Sequence, residues 1–431
     1  MDADTIKSTP DNYQGWQRRA ATFLASQGLS LFGSMLVQYA IIWHITLTTQ
    51  SGAILTVATI AGFLPQIAIS IFAGVWADRY PRKPLIILSD SLTAASTLVL
   101  ALLFLAGYQQ IWLLIAVSAV RAVGAGIQGP AVGAFLPQIV PTDKLIRVNS
   151  LNGTIQPFIM ILAPLASGAL LSLARLEYLF FIDVVTATLA IALLLVLKAP
   201  PHPKAGIAQT TGYLDDLKQG LAYIGQRREI RNLFVYFGFA FFLITPVAFL
   251  SPLLVTRTYG EEVWRLTANE ITFFGGSILG GALMTAWGGF KSHFRTIGLA
   301  CIVWAALFAA LGVTRNFYVY LAIMTLAGLP MPMFNVPTMT LLQERIEPDM
   351  QGRVFGVMGM ITSAAMPVGM LVFGPLSDVV SIELLLVVSS LLMFLPGLAI
   401  YFTKDRAQPE ARPAFPVRIL PDCEAYPEEC A

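Results

Sequence analysis

The sequence predicts an all-α membrane protein, with twelve transmembrane helices arranged as two six-helix, pseudo-symmetric bundles. Three observations carry that expectation. The 431 residues are 56% hydrophobic and only 12% charged, with a mean hydropathy of +0.71, whereas a soluble globular chain carries about 25% charged residues. Apolar runs recur at bilayer-crossing length, and one long hydrophilic stretch divides them six and six. Lipid offers backbone polar groups no partner, so only helices or closed barrels can cross it. Runs of this length without strict alternation exclude a barrel.

A crossing helix needs ~20 apolar residues. Such spans are expected near 20–48, 52–76, 85–106, 111–137, 150–173, 178–198, 232–256, 267–290, 297–314, 317–342, 353–376 and 380–403. The first is not a cleaved leader, being too long and lying behind a polar segment. Lys and Arg set the orientation. With both termini cytoplasmic, 22 of the 27 basic residues fall on the inner side. The outer loops then hold only Arg175, Arg257, Arg265 and Arg315, and Arg121 lies within a span. The net charge of +2 reflects anchoring to anionic lipid rather than a nucleic acid partner. Three cysteines (Cys301, Cys423 and Cys430) form neither a disulfide framework nor a metal site. No cofactor or metal is expected.

Four segments follow: a six-helix bundle over 1–198, a linker over 199–230, a second bundle over 231–403 and a charged, proline-rich tail over 404–431, expected to be disordered. The linker opens with Pro200, Pro201 and Pro203. Its Leu214, Leu217, Leu221 and Ile224 share one helical face, with Asp215, Asp216, Lys218 and Arg227 opposite. That pattern predicts a helix lying on the cytoplasmic membrane surface. The bundles repeat weakly. Leu136-Pro137-Gln138 and Arg147 correspond to Leu342-Gln343-Glu344 and Arg353, and Pro130 corresponds to Pro337. Parallel repeats of this kind belong to transporters, with a site between the halves near the midplane.

Transport needs close packing, a cavity with a few polar anchors and two states of similar energy. Small residues every fourth position (Ala125, Gly129, Gly133; Gly276, Gly280; Gly352, Gly356) predict close helix approach. Arg121 lies ten residues after Ile111, so ~15 Å deep. A cation there costs several kcal/mol by insertion scales (about 2.5–3.5) and must avoid lipid. It is either a proton-relay or anchoring group or half of a buried structural pair. Among the few intramembrane acids, Asp183 and Glu270 are the proton-coupling candidates, while Asp90 and Glu344 suit hydrogen-bonded or paired roles. Gln38, Gln128 and Gln156 are candidate polar anchors of a cavity, and Phe241, Phe242, Met331 and Phe334 suit its greasy wall. No nucleophile–base pair is visible, so an enzyme is not expected.

The turn between the second and third spans is the most telling motif. It reads Gly74-Val75-Trp76-Ala77-Asp78-Arg79-Tyr80-Pro81-Arg82-Lys83. This pattern resembles the loop between helices 2 and 3 of major facilitator superfamily transporters. Three further stretches extend the likeness: Val120 to Pro141, Asn269 to Gly281 and Leu341 to Gly369. Together they look like the macrolide-efflux branch, which exports drugs using the proton gradient. The resemblance implies a cytoplasmic latch. The acid matching Asp78 would meet the positive N-terminal end of the eleventh helix at Gly352-Arg353, with Gly74 allowing approach and Arg79, Arg82 and Lys83 completing the gate. The fifth-helix antiporter signature survives only as Ala163-Pro164-Leu165-Ala166-Ser167-Gly168.

The expected function is therefore proton-coupled antiport of macrolide-like or other amphipathic drugs by alternating access. The protein would work as a monomer in a bacterial inner membrane, with lipid and a small amphipathic substrate as its partners. A siderophore or metabolite exporter is the alternative within the class. A non-transporting scaffold or receptor is the alternative outside it.

Overall fold

The computed structural model describes residues 15–197 and 213–403. The tail from Lys404 and the proline-rich start of the linker lie outside the described residues. Among the described residues the chain is helical. The first bundle comprises α1 (Trp16–Thr49), α2 (Gly52–Arg79), α3 (Arg82–Leu105), α4 (Ile111–Ile139), α5 (Leu145–Leu173) and α6 (Leu176–Val196). A separate amphipathic helix, α7 (Tyr213–Gln226), precedes the second bundle. That bundle runs α8 (Arg228–Thr258), α9 (Val263–Trp287), α10 (His293–Val313), α11 (Phe317–Gly328), α12 (Pro330–Arg345), α13 (Pro348–Leu376) and α14 (Ile382–Tyr401).

Among the described residues eleven spans are long and apolar enough to cross a bilayer, α11 and α12 counting together as one. Of the expected spans, the one not among them is α9. At 25 residues it is ~37 Å long, but it carries Arg265, Asn269 and Glu270 among its apolar residues. The molecule is a multi-pass membrane protein.

The expected tenth span, 317–342, is broken into α11 and α12. Pro330 is the first residue of α12, with Pro332 close behind. Neither has an amide hydrogen, so both interrupt the helical ladder. The Ala327 carbonyl, at the break, instead accepts a hydrogen bond from the Trp304 indole at 2.8 Å. This satisfies a buried carbonyl and pins the kink to α10.

Each bundle has its own core. In the first, Leu36, Ile41, Phe104 and Phe180 pack at one level and Phe23, Ile86 and Phe135 at another. In the second, Phe237, Trp304 and Phe334 stand at the centre. The start of α1, the end of α6, α7 and the end of α14 share one face of the molecule, here the linker face. The short turns after α1, α3, α5, α8, α10 and α13 make the remote face.

Helix α7 does not stand apart from the bundles. It leans on the start of α13, so closely that a Cβ on Gly220 would sit 2.9 Å from the Arg353 carbonyl oxygen. Glu347 accepts hydrogen bonds from Tyr223 and Arg227, and the Arg227 guanidinium lies 4.4 Å over the Tyr223 ring. Burial pushes the Tyr223 phenol up to about 12, reinforced by its bond to Glu347. Burial opposes ionisation of Glu347 as well. The Tyr223 hydroxyl, its own backbone amide and Arg227 outweigh that and hold it below the usual carboxylate range.

Candidate functional site

The site is the seam between the bundles. On the remote side α2 meets α13, α5 meets α9, and α1 meets α8. Gly52 and Gly374 let the first pair touch: a Cβ on Gly52 would lie 2.3 Å from the Gly374 carbonyl oxygen. One turn on, Thr56 donates to the Met370 carbonyl at 3.2 Å. A Cβ on Gly168 of α5 would strike the Thr267 hydroxyl of α9 at 1.8 Å. Trp43 of α1 is 1% exposed and belongs to the core of the second bundle. Further in, Phe63 of α2 and Phe249 of α8 meet edge to face at 6.0 Å. Phe63 lies eleven residues beyond Gly52, so this contact is ~17 Å along the helix, near mid-bilayer.

A polar staple fastens the remote edge. Asp378, just beyond α13, caps the N-terminus of α2 across the seam. It accepts from the amides of Gly52 (2.7 Å) and Ala53 (2.9 Å) and from the Ser51 hydroxyl (2.8 Å). A carboxylate is favoured there because it satisfies orphan amides at the positive end of a helix dipole. Arg257 of α8 completes the staple, donating to Asp378 at 3.0 Å and to the Gln50 and Ser377 carbonyls. Burial alone would raise the Asp378 carboxyl. The Ala53 and Gly52 amides, Ser51 and Arg257 outweigh it and hold the group below its ordinary value of 3.8. Sequence reasoning missed this residue. Its only signal was an acid directly after a span, facing a Ser-Gly helix start elsewhere in the chain.

Toward the linker face, glycines of α2, α13 and α4 are open. Cβ atoms built on Gly74, Gly129, Gly133, Gly352 and Gly356 would meet nothing within 4 Å. Two sequence expectations change here. Gly129 and Gly133 do not make the close approach in α4; their neighbours Gly124 and Gly126 do, against α3 and α2. Nor do Gly352 and Gly356 support packing in this arrangement. Gly276 and Gly280 do, against the Thr325 and Leu329 carbonyls.

The expected latch residues are not drawn together at Gly74 and Gly352, and the side chain of Asp78 lies outside those described. The cations of that turn serve the first bundle itself. Arg82 donates to the carbonyls of Ala77 (3.1 Å) and Ala134 (2.8 Å), and Lys83 donates to those of Leu195 and Leu197. Arg79 is exposed, and Arg353 reaches the Met350 sulfur at 3.4 Å.

Arg121 and Asp183 form a buried ion pair between α4 and α6, with side chains 6% and 1% exposed. Thr97 of α3 donates to Asp183 and accepts from Arg121, which also donates to the Ser34 carbonyl at 3.0 Å. Removing one partner of such a pair strands a buried charge, at a cost of about 3–5 kcal/mol. Glu270 sits elsewhere, half-buried on α9 at the seam. It accepts from Asn269 at 3.2 Å, and Tyr39 of α1 lies against it from the other bundle. Asn269 in turn takes the Tyr320 hydroxyl at 2.8 Å.

Of the cavity candidates, Gln38, Gln128, Phe241, Phe242 and Met331 are half-buried and Gln156 is exposed. Phe334 is not a cavity wall. It is 1% exposed, wedged among Phe237, Phe241 and Trp304 at centroid distances of 5.1 to 5.9 Å. Its aromatic neighbours in space make it core. Among the described residues no group of three or more His, Cys, Asp or Glu side chains could hold a metal ion.

A sequence profile described as the Major Facilitator Superfamily matches residues 20–370. The chain is similar to Macrolide efflux protein A of Streptococcus pyogenes, at 26% identity over 375 residues covering 86% of this chain and 93% of that protein. It is also similar to Macrolide efflux protein A of Enterococcus faecalis, at 25% identity over 72% of this chain and 97% of the relative. Among solved structures, a D-xylose-proton symporter superposes with a TM-score of 0.69 at 14% identity, covering 89% of this chain and 97% of that one.

Proposed function

We propose that this chain, which belongs to the major facilitator superfamily, is an exporter of macrolide-like amphipathic compounds that works by alternating access. On this reading it sits in a bacterial inner membrane with both termini cytoplasmic, and the proton gradient drives antiport. The observation that carries the reading is the seam: stapled shut at the remote face and unpacked along the linker face. The distribution of Lys and Arg supports a cytoplasmic linker face. The arrangement is then the inward-open state, able to receive a substrate from the cytoplasm or the inner leaflet.

Export follows from exchanging the two halves of the seam. Linker-side glycines on α2 and α13 close together, and the Asp378 staple releases. Half-buried Gln38, Phe241, Phe242 and Met331 supply the greasy wall with few polar anchors that a bulky amphipath needs. Similarity to two macrolide efflux proteins supports that substrate class. Glu270, touched by Tyr39 from the opposite bundle, is placed to sense closure of the seam. Arg121 and Asp183 hold the first bundle rigid beside it. Both bundles of the seam belong to one chain, which supports a monomer as the working unit.

The test is expression in a macrolide-susceptible, pump-deficient bacterium. Growth should tolerate several-fold more erythromycin, and a protonophore should erase the gain. Tolerance that ignores the protonophore would end the proton-driven reading. Unchanged erythromycin tolerance with increased secretion of a siderophore would replace the substrate class.

A further inference from the structure

The first bundle contains a second buried polar cluster, two helical turns nearer the linker face than the Arg121–Asp183 pair. At its centre is Asp90 of α3, 2% exposed. Its Oδ1 accepts from the Ser30 hydroxyl of α1 at 2.7 Å and from the Gln128 amide of α4 at 2.9 Å. Gln128 also reaches Gln27 Oε1 at 3.3 Å and Ser30 at 3.4 Å. Two buried polar atoms here have no partner: Asp90 Oδ2 and Gln27 Nε2.

The two buried aspartates differ in one decisive respect. Asp183 is neutralised by Arg121. The hydrogen bonds to Asp90 come from a hydroxyl and an amide, both neutral. A carboxylate taken this far out of water is balanced only by a partner of opposite charge, and Oδ2 is the atom left to receive one. The charged groups presented by the packed neighbours are Arg121 of α4, already committed, and Asp183 of α6; α1 presents the neutral Ser30 and Gln27. Gln27 and Gln128 are half-buried. When these side chains swing aside, water can reach the Asp90 carboxyl. Asp90 lies eight residues after Arg82, so ~12 Å from the linker face, on the side where the seam is unpacked.

Resting on the proton-driven reading above, we infer that Asp90 is a proton-loading carboxylate of the transport cycle. It takes a proton at Oδ2 from water and returns it to water on the linker side when Gln27 and Gln128 swing aside. The step transfers one proton to and from a carboxylate oxygen and needs no other reactant. Asp183 keeps its place as the structural counter-ion of Arg121.

The first test reads the site without transport. Purified protein is treated with dicyclohexylcarbodiimide, which reacts with protonated carboxyls in apolar surroundings, at pH 6 and pH 8. The adduct is then mapped by mass spectrometry. Labelling should map to Asp90, be at least three-fold greater at pH 6, disappear in Asp90→Asn and persist in 150 mM NaCl. Labelling confined to Asp183 or Glu270 overturns the proposal, and protection by sodium replaces the proton with a sodium ion.

The second test uses proteoliposomes with erythromycin as probe. Asp90→Asn should lose at least ten-fold of gradient-driven uptake while keeping erythromycin exchange at equal concentrations, and Asp90→Glu should restore part of the driven flux. Loss of exchange together with driven flux in a folded Asp90→Asn protein makes the residue structural. If the wild type ignores the proton gradient, the broader reading fails; if wild type and Asp90→Asn respond equally, only this proposal does.

Discussion

The remote and linker-side halves of the seam are built from the same small residues, used in opposite ways. On the remote side, Gly52 and Gly374 are in contact and a carboxylate clasps a helix end. On the linker side, Gly74 and Gly352 face open space. The difference teaches that a glycine on a transport helix can serve an arrangement other than the one in view. Close packing on both sides at once would leave no route for a substrate. The first half is therefore read as the closed gate, and the second as a surface prepared for closure.

Substitutions can break this contrast. The largest effect is expected from Gly374→Leu. Its side chain would collide with Thr56 and the Gly52 carbonyl, forcing the remote face apart. Erythromycin efflux should fall at least ten-fold and thermal stability should drop, because overpacking a close contact costs about 1–3 kcal/mol. A mutant with wild-type melting and efflux would show that the remote contact is dispensable.

Gly352→Leu is the counterpart on the other side. Its Cβ meets no atom within 4 Å in this arrangement, so melting temperature should stay within a degree or two of wild type. Efflux should still fall several-fold, because the linker-side half can no longer close. If both melting and efflux are unchanged, the linker-side glycines are not a closing surface.

Asp378→Asn should have the smallest effect, about 1 kcal/mol for a charge at a helix N-terminus. Cysteines placed at the remote end of the seam should label several-fold faster in this background. Because the folded Asp378 lies below its ordinary value of 3.8, its stabilisation is present above that value. It is lost as pH falls through the still lower folded one. Wild-type labelling should thus be flat between pH 5 and 8, and a transition in that window would assign the staple to another group.

Much of the fold was legible in the sequence, because hydropathy and basic residues report the bilayer directly. Arg121 and Asp183 each stood out as charges inside spans, yet their pairing joins residues on two helices that no local pattern links. The Asp378 clasp was less legible still, since it unites positions 51–53 with 378, far apart in the chain. The glycine repeat in α4 pointed to the correct helix but the wrong residues. Four-residue spacing marks a face without saying what lies opposite, and Gly124 and Gly126 are the positions where α3 and α2 cross. The break at Pro330 was written plainly, but a run of apolar residues on both sides concealed it within one expected span.

Helix α7 has a practical consequence. Gly220 is seated on the Arg353 carbonyl, and Tyr223 and Arg227 grip Glu347. Helix α7 is thereby coupled mechanically to α13. A spectroscopic probe attached to an exposed position such as Lys218 becomes a pointer fixed to the moving bundle. Its distance to a partner probe on the first bundle would follow each turnover from outside the pathway, without occupying the space a substrate must cross.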